Sequence, residues 1–370
     1  MLQLHRTARR RATAFLVPFA AVLAAASFAA AKPANHASPN DTARFLAGLP
    51  LPDSSPLAQA AKGRYWQAHA KRLDTAWTSM ERRQLAKIRK WSEENITSPA
   101  ETLFYPFSGP DFLYAETFFP KAKTYVLMAL EPVGTVPDLV SMSDGRRSSG
   151  IGALQSSINT ILNVSFFRTN EMMVKFRQQA FPGALPVVLT FVARAGNVVE
   201  DIELLVIGED GIPKPAGEKQ KADGAKIVFS TPGKEGRRSA YYFSTNVSDP
   251  GLKSSGFLSF LKSLAPGDGF IKSASYLPHR SHFADIRKFL LENTKHIVQD
   301  DTGIPLSFYK ENEWDRLPFG NYNGPISIFS KYYQRDMRAL FQTKARKAID
   351  FGIGYRYRPG DSGFLLSVKK

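Results

Sequence analysis

The amino-acid sequence predicts an α/β fold built on a mainly parallel sheet with flanking helices. Apolar segments of strand length alternate with helical patterns along most of the chain, which is typical of strands joined by helical crossovers. A long amphipathic pattern from Trp66 to Trp91 precedes these segments and predicts an N-terminal helix rich in tryptophan. The turn sequence Arg358-Pro359-Gly360-Asp361 separates the last two apolar segments, so a C-terminal antiparallel hairpin is expected.

The first 31 residues are predicted to be a secretory signal peptide. Four arginines without an acid precede the uncharged run ATAFLVPFAAVLAAASFAAA, and Ala29 and Ala31 fit the small-residue rule for cleavage before Lys32. The alternative is an uncleaved anchor, because a run of this length can just span a bilayer. Pro18 within the run favours cleavage, and we therefore expect a periplasmic or secreted protein without a stable transmembrane span after processing.

The rest of the chain divides into three expected parts. Residues 32–54 are rich in Pro, Asn, Ser and Ala and predict a linker, residues 55–98 a helical segment, and residues 99–370 the α/β domain. Strands are expected at 103–107, 124–130, 186–193, 202–208, 226–230, 240–245, 270–276, 295–298, 351–357 and 364–368. Helices are expected at 111–119, 151–179, 257–264, 282–293 and 328–344.

Composition restricts the chemistry and the partners. The chain has no cysteine, which excludes disulfides, thiolate metal sites, lipoprotein attachment and a cysteine nucleophile. With 49 basic and 33 acidic side chains the net charge is +16, and about +12 without the four leader arginines. Such a surface suits an anionic envelope component, but an ordinary solvated basic surface without a dedicated partner is the favoured interpretation. No nucleic-acid-binding motif accompanies the charge, so nucleic acid is not an expected partner.

The segment from Leu103 to Gly134 contains the main candidate site. An apolar run ends at Ser108-Gly109-Pro110-Asp111, a helical piece follows, and a second apolar run ends at Glu131. In open α/β sheets, ligands bind where strands end and the chain turns into a helix. Gly109 would let a ligand approach the backbone, and the helix starting near Asp111 would offer free N–H groups. Glu131 stands where dinucleotide-type sites carry the ribose-binding acid.

These residues also carry a resemblance. FYPFSGPDFLYAETFFPKAKTYVLMALEP resembles the first strand, loop, helix and second strand of the Rossmann-like S-adenosylmethionine-dependent methyltransferases. FIKSASYLPHRSHFADIRKFLLENTKHIVQDD is similar to a later strand, helix and strand of that family. The resemblance implies a Rossmann-like sheet, with Gly109 facing the amino-acid end of the cofactor and Glu131 its ribose hydroxyls. The loop departs from the family pattern, because it has a single glycine followed by Pro110.

A second resemblance spans most of the mature chain. The segments YPFSGPD, SASYLPHR, QDDTGIP and FGIGYRYRPG resemble those of a family of uncharacterised exported bacterial proteins. This resemblance implies export but no particular activity.

Two further clusters are candidates for ligand binding. In LPHRSHF, His279 and His282 flank Arg280; on a helix the two imidazoles would share a face and could bind a metal, but a turn followed by a helix cap is favoured and no metal is predicted. Asp300 and Asp301 follow an apolar strand and could share a proton or do acid–base work, or simply form a turn. Ser108 lacks the flanking glycines of a nucleophile elbow, which disfavours a serine hydrolase triad with His279 and Asp300.

Three functions are compatible with these patterns. The first is a periplasmic protein with a degenerate nucleotide-fold pocket, which binds a polar or anionic envelope ligand at the Ser108–Asp111 turn without a cofactor. Glu131, His279 and Asp300 would line the same sheet edge. The second is a methyltransferase-like transferase that uses S-adenosylmethionine and is not exported. The third is a basic envelope scaffold without pocket chemistry.

Overall fold

A mixed sheet of ten strands runs through the computed structural model, which describes residues 36–167, 180–344 and 347–370. The strand order is β4-β3-β5-β6-β2-β1-β7-β8-β10-β9. The strands are β1 Thr102–Pro106, β2 Thr124–Ala129, β3 Val198–Ile207, β4 Pro213–Pro215, β5 Gly224–Ser230, β6 Arg237–Ser244, β7 Gly267–Ile271, β8 Thr294–Gln299, β9 Trp314–Gly320 and β10 Gly363–Lys369.

The sheet has a parallel centre and antiparallel margins. Strands β6, β2, β1, β7 and β8 run parallel to one another, whereas β5, β3 and β4 on one side and β10 on the other are paired antiparallel. The α/β class is therefore confirmed, but the sheet is mixed rather than mainly parallel. The parallel centre is the part that positions the candidate site.

Helices cover both faces of the sheet. Within the described residues they are α1 Pro39–Leu46, α2 Ala58–Ala61, α3 Arg64–Met80, α4 Ala86–Asn95, α5 Phe112–Phe118, α6 Asp144–Val164, α7 Leu185–Arg194, α8 Asp249–Lys253, α9 Phe257–Ser263, α10 Ala284–Asn293 and α11 Arg335–Thr343. A π-helical turn, Glu81–Leu85, joins α3 directly to α4. None of the helices in the described ranges combines the length and the apolarity that crossing a membrane requires.

The N-terminal helices pack against one face of the sheet. Trp91 on α4 contacts the rings of Phe118, Phe319 and Phe364, with centroids 4.8 to 5.6 Å apart. Helix α1 falls within the expected linker over 32–54, and its Phe45 is fully buried. The expected linker is therefore wrong for α1. This segment forms a short helix that buries aromatic and aliphatic side chains, whereas a linker would leave them exposed to solvent.

The segment expected as a strand at 186–193 is helix α7. Every side chain from Leu185 to Ala193 is buried, so the segment has no polar face and its periodicity cannot distinguish a buried helix from a buried strand. Pro186 lies in the first turn, where proline is tolerated because the N–H has no helical partner there. The Thr190 hydroxyl donates to the Pro186 carbonyl at 2.8 Å, as a helical residue can.

The expected C-terminal hairpin between 351–357 and 364–368 is also wrong. Residues 351–357 form a loop with a short 3₁₀ turn, Gly354–Arg356, and β10 pairs antiparallel with β8 and β9 instead. Gly354 has φ +73°, which breaks an extended strand. The apolar pattern of this loop arises because Phe351 packs against Phe118 and Phe364. Strand β9 was not expected, because Pro318 and its charged residues hide the strand pattern.

Other expected elements also differ in their bounds. The strand expected at 270–276 ends at Ile271, and the helix expected at 328–344 is a 3₁₀ turn, Ser327–Tyr332, followed by α11. The helix expected at 151–179 is α6, Asp144–Val164, and residues 168–179 lie outside the described residues.

Candidate functional site

Two neighbouring pockets lie at the carboxyl ends of the parallel strands. The first, which we call the β2 pocket, has a volume of about 170 Å³ and includes Glu131, Asn246 and Leu277 in its wall. The second, the aromatic pocket, has a volume of about 540 Å³ and includes Phe166, Phe329 and Tyr355. Phe107, Gly109, Ser273 and Ser275 line both pockets.

The strand order places these pockets where ligands bind in open α/β sheets. Strands β2 and β6 are added on one side of β1, and β7 and β8 on the other, so the direction of winding reverses between β1 and β7. Such a reversal opens a crevice outside the carboxyl ends of the strands. The loops after β1 and β7 form the wall that the two pockets share.

Strained backbone is concentrated at this wall. Within the described residues, the non-glycine residues with positive φ are Phe107, Ser165, Ser273, Ser275 and Tyr276, at +50° to +70°. Three of them line the pockets, Tyr276 follows directly, and the Ser165 carbonyl accepts a hydrogen bond from Lys272. Such conformations cost about 1–3 kcal/mol each and cluster at functional sites.

Asp111 and Lys272 form a buried ion pair beneath the shared wall. The distance from Lys272 Nζ to Asp111 Oδ2 is 3.0 Å, and the side chains are 2% and 1% exposed. Asp111 also accepts from the Tyr105 hydroxyl at 2.9 Å and from the Tyr114 N–H at 3.0 Å. Burial and the neighbouring Asp111 carboxylate raise the pKa of Tyr105 well above its usual value.

The first turn of α5 is therefore not the open anion site that the sequence predicts. Asp111 itself caps this helix, so its carboxylate occupies the place that an anionic ligand would take. Ser108 is buried, and its hydroxyl donates to the Gly109 carbonyl at 2.7 Å. Gly109 has φ +59°, and a Cβ there would lie 3.2 Å from the Phe167 ring, so the turn favours glycine at this point.

Glu131 stands at the end of β2, in the wall of the β2 pocket. Its side chain is buried, with 1% of the residue exposed. Its backbone carbonyl accepts a hydrogen bond of 2.9 Å from the Tyr242 hydroxyl, which fixes the chain just after β2. Burial, and then the negative charge of Glu131, raise the pKa of Tyr242 well above its usual value.

Asp300 and Asp301 form a turn after β8 that holds the β7 loop. Asp300 Oδ1 accepts from the Thr302 N–H at 3.0 Å, the local bond of an Asx turn, and Oδ2 accepts from the Ser273 N–H at 2.9 Å. The Tyr276 hydroxyl donates to Asp301 at 2.5 Å. Burial and the adjacent Asp300 raise the pKa of Asp301 to about 7. The turn interpretation is confirmed, and Asp300 supports the pocket through Ser273.

The histidines of LPHRSHF lie beside the pockets. Tyr276 and Tyr332 are stacked on each other at 4.8 Å, and His279 packs edge-on against both rings, with centroids 5.1 and 5.4 Å away. Burial lowers the pKa of His279 to about 4. Arg280 is exposed and donates to the Tyr332 hydroxyl at 3.2 Å. His279 and His282 belong to separate 3₁₀ turns, so the favoured turn is confirmed and the two imidazoles share no helix face. The N-cap of α10 is Phe283 rather than His282. Within the described ranges, no group of three metal-binding side chains occurs.

Part of this site lies where the sequence predicts strands. Lys272, Ser273 and Ser275 fall within the strand expected at 270–276, and Tyr355 within the one expected at 351–357, although all four lie in loops. The sequence contains one signal for this site, the lysine directly after the apolar run of β7. Lysine is rarely buried unless it is paired, so a lysine next to a buried strand indicates a nearby acidic partner. The chain matches no known family model, no curated protein and no solved structure.

Proposed function

We propose that this protein binds a small ligand of the nucleoside class in the β2 pocket. The observation that carries the proposal is a buried carboxylate, Glu131, at the end of β2 beside the crevice where the strand order reverses. In nucleotide-type α/β sites an acid at this place accepts hydrogen bonds from the ribose hydroxyls.

The other walls of the β2 pocket suit the rest of such a ligand. Met128, Leu277 and Phe283 offer apolar surface to a planar base, and Thr245 and Asn246 offer hydrogen-bonding groups. Of the described residues that line the pocket, Glu131 alone carries a formal charge. A buried carboxylate repels anions, so a hydroxyl-bearing or cationic ligand fits better than an anionic one.

Methyl transfer from S-adenosylmethionine is the second candidate, and the strand order favours it. A parallel centre that reverses at β1 and β7, with an antiparallel strand β10 next to β8, supports the Rossmann-like methyltransferase fold implied by the sequence resemblance. The single glycine of the β1 loop and the capping role of Asp111 depart from that family. Export, if the leader acts as the sequence predicts, would also separate the protein from this cytosolic cofactor.

Calorimetric titration tests the proposal. Adenosine and S-adenosylmethionine are each added to the protein, to Glu131→Gln and to the matched surface control Glu313→Gln. We expect adenosine to bind and Glu131→Gln to weaken binding about tenfold or more, because hydrogen bonds to a charged group contribute about 1.5–3 kcal/mol. Absence of binding, or equal binding by all three proteins, would refute it. S-adenosylmethionine binding more tightly than adenosine would favour methyl transfer.

Export is proposed together with this function. The intact mass of the protein from a periplasmic fraction decides it. A chain that starts at Lys32 supports a periplasmic ligand-binding protein, and an unprocessed cytosolic chain supports the methyltransferase.

An anionic envelope component is proposed to bind elsewhere, at a basic groove between α3 and α6. Lys71, Arg72 and Arg83 line this groove, which has a volume of about 570 Å³. The Arg83 guanidinium is held by the Ser79 hydroxyl at 3.1 Å. No carboxylate is among the described residues of its wall, so its positive charge is not balanced locally.

A further inference from the structure

We propose that the aromatic pocket binds an uncharged aromatic molecule whose polar group reaches Ser273 Oγ. Its volume of about 540 Å³ is about three times that of the β2 pocket, whose volume is about 170 Å³, and the two share a wall. The inference goes beyond the proposed function, because it concerns a second pocket and a different ligand.

Aromatic rings from distant parts of the chain define the shape of this pocket. The rings of Phe166 and Tyr355 meet edge to face at 4.9 Å, and those of Phe329 and Tyr355 are stacked at 5.6 Å. Ring faces and edges arranged in this way favour a planar aromatic guest, which can continue the same offset and edge-to-face contacts. Phe107 adds a further ring at the boundary with the β2 pocket.

The charge within the pocket is already neutralised. Lys272 is the charged side chain among the described residues of its wall, and its ammonium group is paired with Asp111 at 3.0 Å. Taking Lys272 away from Asp111 would leave a buried carboxylate without its cation, which is strongly unfavourable. An anionic ligand therefore has no available partner, and a neutral ligand is favoured.

Ser273 supplies a hydroxyl for the polar end of the ligand. Its Oγ is buried and has no hydrogen-bond partner among the described residues. The backbone around it is pinned on both sides, because the Ser273 N–H donates to Asp300 and the Ser273 carbonyl accepts from Tyr355 at 3.1 Å. A buried polar group without a partner is uncommon and requires an explanation. The inference is that this hydroxyl turns into the aromatic pocket when a ligand hydroxyl is there to pair with it.

Ile328 extends the apolar wall into solvent. It lines the pocket although 77% of it is exposed, the largest exposure among the large hydrophobic residues of the described chain. A bound aromatic molecule would cover part of this side chain, and removing that surface from water adds to affinity. Because Ile328 is so exposed, its substitution is not expected to prevent folding.

Fluorescence titration with 2-naphthol tests the inference. We expect saturable binding that Ile328→Asp weakens about tenfold, since it removes apolar contact and adds a charge. The matched control is Ile212→Asp, because Ile212 is 58% exposed and lies outside the pocket. Ser273→Ala should weaken binding about three- to tenfold, the loss of one hydrogen bond.

Three results would overturn the inference. These are absence of 2-naphthol binding, equal effects of Ile328→Asp and Ile212→Asp, and tighter binding of 2-naphthalenesulfonate than of 2-naphthol. The last result would mean that Lys272 is available to an anion. No nucleoside is present in this titration, so its failure can be distinguished from a failure of adenosine binding.

Discussion

Lys272 at the end of β7 and Asp111 at the start of α5 form an ion pair of 3.0 Å that water hardly reaches. The pair joins the loops that follow two neighbouring strands, β1 and β7, and these loops form the wall between the two pockets. The Lys272 ammonium also lies 4.3 Å from the centre of the Tyr114 ring. Stability and pocket shape are therefore linked at the same two side chains.

The first prediction concerns this ion pair. Lys272→Met should lower the free energy of unfolding by roughly 3–5 kcal/mol, because it leaves the Asp111 carboxylate buried without its cation. Urea denaturation at neutral pH measures the change. The exposed pair of Lys310 and Glu313 provides the control, and Lys310→Met should cost less than about 1 kcal/mol.

A double variant separates charge from packing. Adding Asp111→Asn to Lys272→Met removes the uncompensated charge, so the double variant should be more stable than the sum of the two single changes predicts. Additive losses would mean that the two charges do not interact.

The second prediction concerns Gly354. A Cβ at this position would overlap Asp300 Oδ2, so Gly354→Ala should displace the carboxylate that holds the Ser273 N–H. Gly360→Ala is a matched control, because Gly360 also has positive φ but has open space where a Cβ would project. The control should lose about 1–2 kcal/mol from the left-handed conformation alone. Gly354→Ala should lose more and should also weaken 2-naphthol binding; equal losses would contradict the clash.

The candidate site could be predicted from the sequence only where it is local. Strand β1, helix α5 and strand β2 each lie within one residue of their expected ends, because turn residues separate short patterns of clear period. The turn at Asp300 was predictable for the same reason, since Asp and Gly form local backbone bonds.

The remainder depends on contacts between distant parts of the chain. The sequence predicts an open helix terminus at Asp111, but its partner Lys272 comes from the loop after β7, far away in the chain, and no local pattern indicates the pairing. Helix α7 has the pattern of a strand because complete burial removes the polar face that marks a helix. The aromatic pocket was missed because its rings come from separate loops.

The third prediction is a loss of stability in acid caused by His69. Burial lowers the pKa of this histidine from 6.5 to about 4. Its Nε2 lies 2.8 Å from the Leu46 carbonyl and its Nδ1 lies 2.8 Å from the Gln155 amide, an arrangement that suits the neutral ring. Below pH 6.5 the histidine of the unfolded chain takes up a proton, whereas that of the folded chain stays neutral until about pH 4. The stability is therefore full above pH 6.5 and is lost progressively as the pH falls from there toward 4.

The comparison of the protein with His69→Gln measures this effect. Between pH 8 and pH 5 the protein should lose about 2 kcal/mol more unfolding free energy than the variant, as the lowered pKa of His69 implies. The effects of the carboxylates are the same in both proteins and cancel in this comparison. The exposed His282 provides the control, and His282→Gln should keep the full acid sensitivity. A parallel pH dependence of the protein and His69→Gln would mean that His69 is not the group responsible.

The last prediction tests the basic groove between α3 and α6. The triple variant Lys71→Gln, Arg72→Gln and Arg83→Gln should bind phosphatidylglycerol vesicles more than about tenfold more weakly in low salt, since each cation near an anionic surface contributes about 1 kcal/mol. The exposed lysines Lys219, Lys221 and Lys253, changed together to Gln, give a control with the same loss of charge. Equal weakening would mean that net charge, rather than the groove, attracts the membrane. Inorganic pyrophosphate is then added at the same phosphate concentration as the vesicles. A vesicle surface binds through many headgroups at once, so pyrophosphate should not displace the protein from it; displacement would identify a free phosphate ligand instead.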